Sequence, residues 1–129
     1  MRLLKISNLS VNYGSFTALR NINMEVGQGE LVVLLGANGA GKTTLFRTIS
    51  GLYKPSCGTI LMGDKKISGQ SPSSIVKNGV SQCAEGRKLF PQMSVYKNLL
   101  LGAYTCRGDR AGVQKSLAYV YELFPILKE

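Results

Sequence analysis

The stretch Gly36–Thr43 reads GANGAGKT and matches the pattern GxxxxGK[ST] at every fixed position. Glycines let the chain curl so that successive backbone N–H groups point at phosphate oxygens. The apolar run Leu31–Leu35 precedes the stretch and a helical pattern follows it, which are the flanks that such a loop requires. The beginning of that helix also favours negative charge, through its dipole and its unpaired N–H groups. We therefore predict a strand, a phosphate-binding loop and a helix in succession.

Individual residues of this loop have distinct expected roles. Lys42 is expected to reach the β- and γ-phosphates of a nucleotide, and the Thr43 hydroxyl is expected to ligate Mg²⁺. A glycine loop that merely turns a strand into a helix is the alternative, and we favour the nucleotide site because motif and context agree. The predicted nucleotide-binding residues of the loop are Gly36, Ala37, Asn38, Gly39, Ala40, Gly41, Lys42, Thr43 and Thr44.

Composition excludes several classes of protein without selecting a partner. The 129 residues are 44% hydrophobic and carry a net charge of +9, which suits a nucleotide, a nucleic acid or an acidic membrane surface alike. Three separated cysteines and no histidine argue against a zinc site or a disulfide framework. The apolar runs are far shorter than the roughly 20 residues that span a bilayer. We expect one globular domain at most.

Hydrophobic patterning predicts the order of the elements. The run Leu31–Leu35 has the composition of a strand buried on both faces. A helix is expected over Lys42–Ser50, ended by Gly51, and a helical pattern begins at Val95 and should end or bend at Pro125. The other predicted segments are strands over Leu3–Leu9, Ala18–Val26, Gly58–Met62 and Gly79–Cys83, and a polar loop over Ser68–Ser74. Strands followed by helices indicate an α/β fold with a small antiparallel annex.

The flanks of the loop distinguish between classes of nucleotide-binding protein. No guanine-reading NKxD occurs, and Asp109–Gly112 fits DxxG only formally because no apolar strand precedes it. A soluble P-loop kinase remains possible on the loop alone. Tyr13-Gly14, Gly29-Glu30 and Ile49–Leu52 around the loop, with Leu89–Val95 further on, together resemble the ABC ATPase family from Met1 to nearly Glu129.

This resemblance implies a fold and additional site residues. The fold would be a P-loop NTPase core with a small antiparallel β annex at the N-terminus and the start of a helical subdomain at the C-terminus. By resemblance, Tyr13 would stack on the adenine of ATP, although an ordinary turn tyrosine is the alternative. Glu85 would occupy the position of the family's Q-loop glutamine and help to hold Mg²⁺. Gln82, three residues earlier, is the competing candidate, and a solvated loop charge is the alternative for Glu85.

The resemblance is strongest to the ATPase subunits of branched-chain amino-acid importers. It rests there on Ala84–Arg87 running into Leu89–Pro91, on Leu99–Tyr104 and on Tyr121–Pro125. It implies ATP and Mg²⁺ as ligands, transmembrane permease subunits and a second ATPase subunit as partners, and a peripheral position on the cytoplasmic face of the inner membrane. No direct contact with nucleic acid is expected on this hypothesis. A non-transport ABC ATPase acting on nucleic acid or ribosomes is the alternative that the charge permits.

The 129 residues contain no LSGGQ-like string, no apolar run ending in Asp-Glu and no histidine. The family uses these for the signature, the Walker B strand with its general base, and the switch. Phosphoryl transfer needs a group that positions water and a full metal shell as well as a phosphate cradle. We therefore expect residues 1–129 to be a partial, truncated nucleotide-binding domain, either a fragment or a nonfunctional remnant. It would retain nucleotide binding and contain no catalytic residue.

Overall fold

The computed structural model describes residues 2–83, 85–86 and 88–128, with the side chain of Arg2 excepted. The chain divides into two compact units, Met1–Gln82 and Cys83–Glu129. Each unit is described by itself. Within the described residues, none of the helices has both the length and the apolar character needed to cross a membrane.

The first unit is built on an antiparallel sheet of four strands in the order β2-β1-β3-β4. The long strands β1 (Arg2–Tyr13) and β2 (Phe16–Gly27) form a hairpin, joined by a tight turn in which Gly14 has a φ of 57°. Glycine adopts this left-handed conformation without a steric penalty. β1 also pairs with β3 (Cys57–Met62), and β3 pairs with the short β4 (Lys65–Lys66). The predicted N-terminal antiparallel annex is confirmed.

Two helices lie in the same unit, α1 (Lys42–Ile49) and α2 (Pro72–Lys77). Both helices contribute to one hydrophobic core with the sheet. Leu45 and Ile49 of α1 lie on one helical face at a spacing of four, and α2 contributes Ile75. Burial of each such aliphatic side chain contributes about 1.5–3 kcal/mol. The buried hydrophobic residues are Ile6, Leu9, Val11, Leu19, Leu45, Ile49, Ile60, Ile67 and Ile75.

The second unit is helical. It contains α3 (Val95–Gly102) and α4 (Arg110–Leu123), with 3₁₀ turns over Tyr104–Cys106 and Pro125–Lys128. The Ser94 hydroxyl caps α3 by accepting from the Lys97 N–H at 3.3 Å. The prediction that the last helix ends at Pro125 is confirmed, since α4 ends two residues before it. The side-chain amide of Asn98 fixes the preceding loop to α3, because it accepts from the Phe90 N–H at 3.0 Å and donates to the Phe90 carbonyl at 3.1 Å.

The predicted strand over Leu31–Leu35 is wrong as a hydrogen-bonded element. The run forms no strand, and Leu31 and Leu35 are 88% and 90% exposed. Only Leu34 packs against the core. The strand predicted over Gly79–Cys83 is also absent from the described residues. A β-strand forms only when its backbone is hydrogen-bonded to a neighbouring strand. The described residues provide no such neighbour for Leu31–Leu35 or for Gly79–Cys83.

The predicted polar loop over Ser68–Ser74 is partly wrong, because α2 begins inside it. Ser71 caps this helix by accepting from the Ser74 N–H at 3.3 Å, and Pro72 follows at the first helical position. Proline suits that position because its missing N–H would have no intrahelical partner. Ser71 followed by Pro72 is therefore a sequence signal for the start of a helix, although the polar composition of the segment predicts a loop.

We predict that the exposed apolar run causes self-association. Leu31 and Val33 present 88% and 68% of their surfaces to solvent, which provides apolar area and unpaired backbone groups to another chain. Leu31→Lys combined with Val33→Lys should shift the chain toward monomer in sedimentation velocity. Ile126→Lys, at a position 74% exposed elsewhere, is the matched control and should not. A wild-type chain that sediments as a monomer with a sharp thermal transition would contradict the prediction.

Candidate functional site: the phosphate loop

The loop Gly36–Gly41 curls around the ammonium group of its own lysine. Lys42 Nζ donates to the carbonyl oxygens of Gly36 at 2.5 Å and Ala37 at 2.8 Å. A turn bond from the Ala40 N–H to the Ala37 carbonyl, at 3.1 Å, closes the curve. The positive charge therefore lies against the concave side of the loop.

Glycines let the loop pack on the sheet. Gly41 has a φ of 90°, and a Cβ atom built there would lie 2.7 Å from Leu19 Cδ2 and 3.1 Å from the Ala18 carbonyl oxygen. Gly39 has a φ of 88°, but a Cβ atom there would meet nothing within 4 Å. Gly41 is thus required both by its conformation and by the close approach of β2, whereas Gly39 is required by conformation alone.

Helix α1 begins directly after Gly41, and the loop is continuous with its first turn. The N–H groups of a first turn have no intrahelical partner and are available to an anion. The first turn of α1 contains no acidic residue that would compete for them. Thr43 is exposed and Thr44 is half-buried on this turn. The geometry suits a ligand with several negatively charged oxygens.

Tyr13 lies beside this helix, at the end of β1. Its hydroxyl donates to Thr44 Oγ1 at 3.4 Å, and its side chain is 42% exposed. Its ring meets that of Tyr53 nearly at right angles, with the ring centroids 5.2 Å apart. The structure therefore brings the predicted Tyr13 next to the predicted Thr44.

Two residues of this cluster were missed by the sequence analysis. An Arg47 nitrogen donates to the Tyr53 hydroxyl at 2.8 Å, and the guanidinium carbon lies 5.7 Å from the centre of the Tyr53 ring. The hydrogen bond from Arg47 is the largest cause that lowers the pKa of Tyr53, because it favours the phenolate. Neither residue stands in a motif, so no sequence signal marks them.

The two candidates for the Q-loop position belong to different units. Glu85 lies in an exposed bend of the second unit, and its neighbours Ala84 and Arg87, which carried part of the resemblance, lie outside the described residues. Gln82 belongs to the first unit, and its Oε1 accepts from the Ser50 hydroxyl at the C-terminal end of α1. At roughly 1.5 Å per residue, that end lies about 10 Å along the helix axis from Thr43.

Asp109–Gly112, which matches DxxG formally, is a helix cap. The Asp109 carboxylate accepts from the Gly112 N–H at 2.8 Å at the start of α4. This local bond accounts for the spacing of the aspartate and the glycine without a nucleotide.

A Mg²⁺ ion fits this site only together with a nucleotide. No group of three or more His, Cys, Asp or Glu side chains that could hold a metal occurs in the part of the chain that the structure describes. Thr43 offers one exposed hydroxyl oxygen. Mg²⁺ at nucleotide sites commonly takes its ligands from one or two side chains, substrate phosphates and water, so this sparse donor set is compatible with it.

Comparison with known proteins identifies the family. The family model described as "ABC transporter" matches residues 19–125, which include the phosphate loop and both helices of the second unit. The chain belongs to the ABC transporter family. This confirms the resemblance predicted from the loop and its flanks.

Individual relatives of this ABC transporter chain agree with the assignment. It is 36% identical to the high-affinity branched-chain amino acid transport ATP-binding protein BraG of Pseudomonas aeruginosa, over 98% of this chain and 54% of that protein. It is 39% identical to the corresponding protein LivG of Escherichia coli, over 79% of this chain and 40% of that protein. The chain thus spans about half, or less, of the length of these curated relatives.

The fold agrees as well. A solved structure described as an ATP binding subunit of an ABC transporter matches with a TM-score of 0.83 and 26% identity, covering 98% of this chain and 52% of that one. The predicted fold class, with an antiparallel annex before a helical segment in an ABC ATPase cassette, is therefore confirmed. The individual site residues remain predictions.

We predict that alanine destabilises the chain by different amounts at two glycines of the phosphate loop, Gly39 and Gly41. Gly39→Ala should lower the free energy of unfolding by about 1–2 kcal/mol, the cost of a left-handed residue with a side chain. Gly41→Ala should cost more, because its Cβ atom also meets Leu19 Cδ2 at 2.7 Å. Urea denaturation of the two variants measures the difference. Equal losses would mean that β2 does not constrain the loop.

Proposed function

We propose that the chain is the nucleotide-binding part of the ATP-binding subunit of an ABC importer for branched-chain amino acids. The observation that carries the nucleotide site is the position of the Lys42 ammonium, 2.5 Å from the Gly36 carbonyl and 2.8 Å from that of Ala37. A cation held inside a glycine loop at the start of a helix is a site for phosphate groups.

The triphosphate of ATP would bind along the concave side of this loop. Its oxygens would accept from the backbone N–H groups of the loop and of the first turn of α1, and Lys42 would exchange its carbonyl partners for phosphate. Because the first turn of α1 lacks an acidic residue, no carboxylate there repels the ligand. The loop residues Gly36–Thr44 are the proposed binding site.

The adenine base would stack on Tyr13. This side chain is 42% exposed and linked to Thr44, the residue at the end of the proposed phosphate site. Stacking of a base on an aromatic face contributes about 1–3 kcal/mol and tolerates different bases. Tyr13 would therefore add affinity more than base selectivity.

Thr43 and Glu85 are the proposed side-chain contacts of Mg²⁺, which neutralises phosphate charge when bound. Glutamate offers a charged, hard oxygen that Mg²⁺ prefers to a neutral amide. The proposal for Glu85 rests on the family resemblance, and the Ser50 contact holds the competing Gln82 side chain at the far end of α1 from Thr43.

The proposed partners are transmembrane permease subunits and a second ATPase subunit, with the chain peripheral to the cytoplasmic face of the inner membrane. The names of BraG and LivG support branched-chain amino acids as the transported solute. Leu89 and Phe90, 70% and 57% exposed in the loop that Asn98 fixes, would border the permease contact. Neither nucleic-acid binding nor P-loop kinase activity is part of this proposal.

We predict that the 129-residue chain binds MgATP without measurable steady-state hydrolysis, because its sequence supplies a cradle but no Walker B run or switch histidine. Lys42→Ala should weaken binding about tenfold or more, as expected for the loss of a charge-assisted hydrogen bond. Isothermal titration calorimetry and phosphate release measure the two properties. Lys77→Ala, which removes the same charge from the end of α2, is the control. Hydrolysis by pure chain that Lys42→Ala abolishes would overturn the prediction.

We further predict that Glu85, and not Gln82, governs the Mg²⁺ dependence of ATP affinity. Glu85→Gln should reduce the gain in affinity that Mg²⁺ gives, since it replaces a charged oxygen ligand by a neutral one. Gln82→Ala should leave that gain unchanged. Titrations with ATP in Mg²⁺ and in EDTA measure both effects. The opposite pattern would assign the Q-loop position to Gln82.

A further inference from the structure

The cluster of Tyr13, Tyr53 and Arg47 lies beside the phosphate loop. The proposed function assigns a role to Tyr13 but none to Tyr53 or Arg47. Tyr53 meets the Tyr13 ring at 82° with the centroids 5.2 Å apart, and Arg47 donates to the Tyr53 hydroxyl at 2.8 Å. An edge-to-face arrangement is favoured by the ring quadrupoles. It also restrains Tyr13 without covering it, since 42% of that residue is still exposed.

Tyr53 is itself well anchored. Its backbone N–H donates to the Arg47 carbonyl at 3.2 Å, which fixes it to the end of α1. A few residues later, the Ser56 N–H donates to the Ser10 carbonyl at 2.8 Å and the Ser56 hydroxyl accepts from the Asn12 N–H at 2.9 Å. The segment that carries Tyr53 is therefore tied both to α1 and to β1, the strand that ends in Tyr13.

Helix α1 thereby connects the two ends of the proposed nucleotide site. It carries the phosphate-binding Lys42 at its start, Thr44 against the Tyr13 hydroxyl, and Arg47 one turn later on the same side. Tyr13 is held at its hydroxyl by Thr44 and at its ring by Tyr53. The distance between ring and loop is thus set by contacts to one helix.

We propose that Tyr53 and Arg47 are positioning residues that hold the Tyr13 ring in place to receive the base of the nucleotide. They act through Tyr13 and do not contact the ligand. This inference rests on the proposed nucleotide site. It predicts that the pair contributes to affinity for a nucleoside triphosphate and contributes nothing to affinity for the phosphate chain alone.

The test compares ATP with inorganic tripolyphosphate, both with Mg²⁺, by isothermal titration calorimetry on the full chain. Tyr53→Leu should weaken ATP binding about threefold to tenfold, the range expected for one aromatic pair, and leave tripolyphosphate binding unchanged. Arg47→Gln should act in the same direction. Tyr53→Phe retains the ring contact but loses the hydrogen bond from Arg47, so it should weaken ATP binding no more than Arg47→Gln does and less than Tyr53→Leu does.

A double-mutant cycle separates positioning from a general structural effect. In a chain that already carries Tyr13→Leu, adding Tyr53→Leu should change ATP affinity less than about twofold, because the ring to be positioned is gone. Tyr104→Leu is the matched control, since Tyr104 also packs against an arginine, with the Arg107 guanidinium carbon 4.4 Å from its ring centre, in the other unit. It should leave both affinities unchanged.

The outcomes distinguish this inference from the function on which it rests. Equal loss of ATP and tripolyphosphate binding in Tyr53→Leu, or additive losses in the cycle, would overturn positioning and leave the phosphate site intact. Unchanged ATP affinity in both Tyr53→Leu and Arg47→Gln would do the same. An unsubstituted chain that binds neither ligand would overturn the nucleotide site and this inference together.

Discussion

Gly41 lies directly against β2: a Cβ atom built on it would lie 2.7 Å from Leu19 Cδ2 and 3.1 Å from the Ala18 carbonyl oxygen, so that the leucine or the loop would have to shift to admit a side chain. This contact seats the end of the phosphate loop on the sheet. Leu45 and Ile49 continue the attachment along α1 by joining the core beneath. Lys42, Thr44 and Arg47 are all carried by the helix that these contacts attach to the sheet.

The β1–β2 hairpin and α1 could be predicted from the sequence because they satisfy their own hydrogen bonds or find their partners nearby in the chain. The hairpin of β1 and β2 closes over Gly14, and α1 follows its glycine loop, so local signals were sufficient. Leu31–Leu35 has the composition of a buried strand, but composition does not supply a neighbour. The physical difference is that a helix bonds within itself, whereas a parallel strand depends on residues far along the chain.

The candidate site likewise has one part that could be predicted from the sequence and one part that could not. The phosphate loop is one continuous motif that the sequence alone reveals, and in the structure its lysine donates to two carbonyls of the same loop. The Tyr13 cluster joins β1 to α1 and to Tyr53 beyond it, and no fixed spacing relates these three places. Family resemblance located Tyr13, but the contacts that restrain it became visible only in three dimensions.

The two bonds from Lys42 to its own loop carbonyls have a thermodynamic consequence. The loop already contains a positive charge that its own carbonyls hold, so the proposed nucleotide binding would be an exchange in which the ammonium leaves carbonyl partners for phosphate oxygens. The net enthalpy of that step is smaller than a count of the new bonds suggests. The same bonds stabilise the curled conformation of the ligand-free loop. The loop would therefore lose less conformational entropy on binding a nucleotide. In the proposed site, Lys42 would therefore stabilise the empty loop and, in turn, contact the ligand.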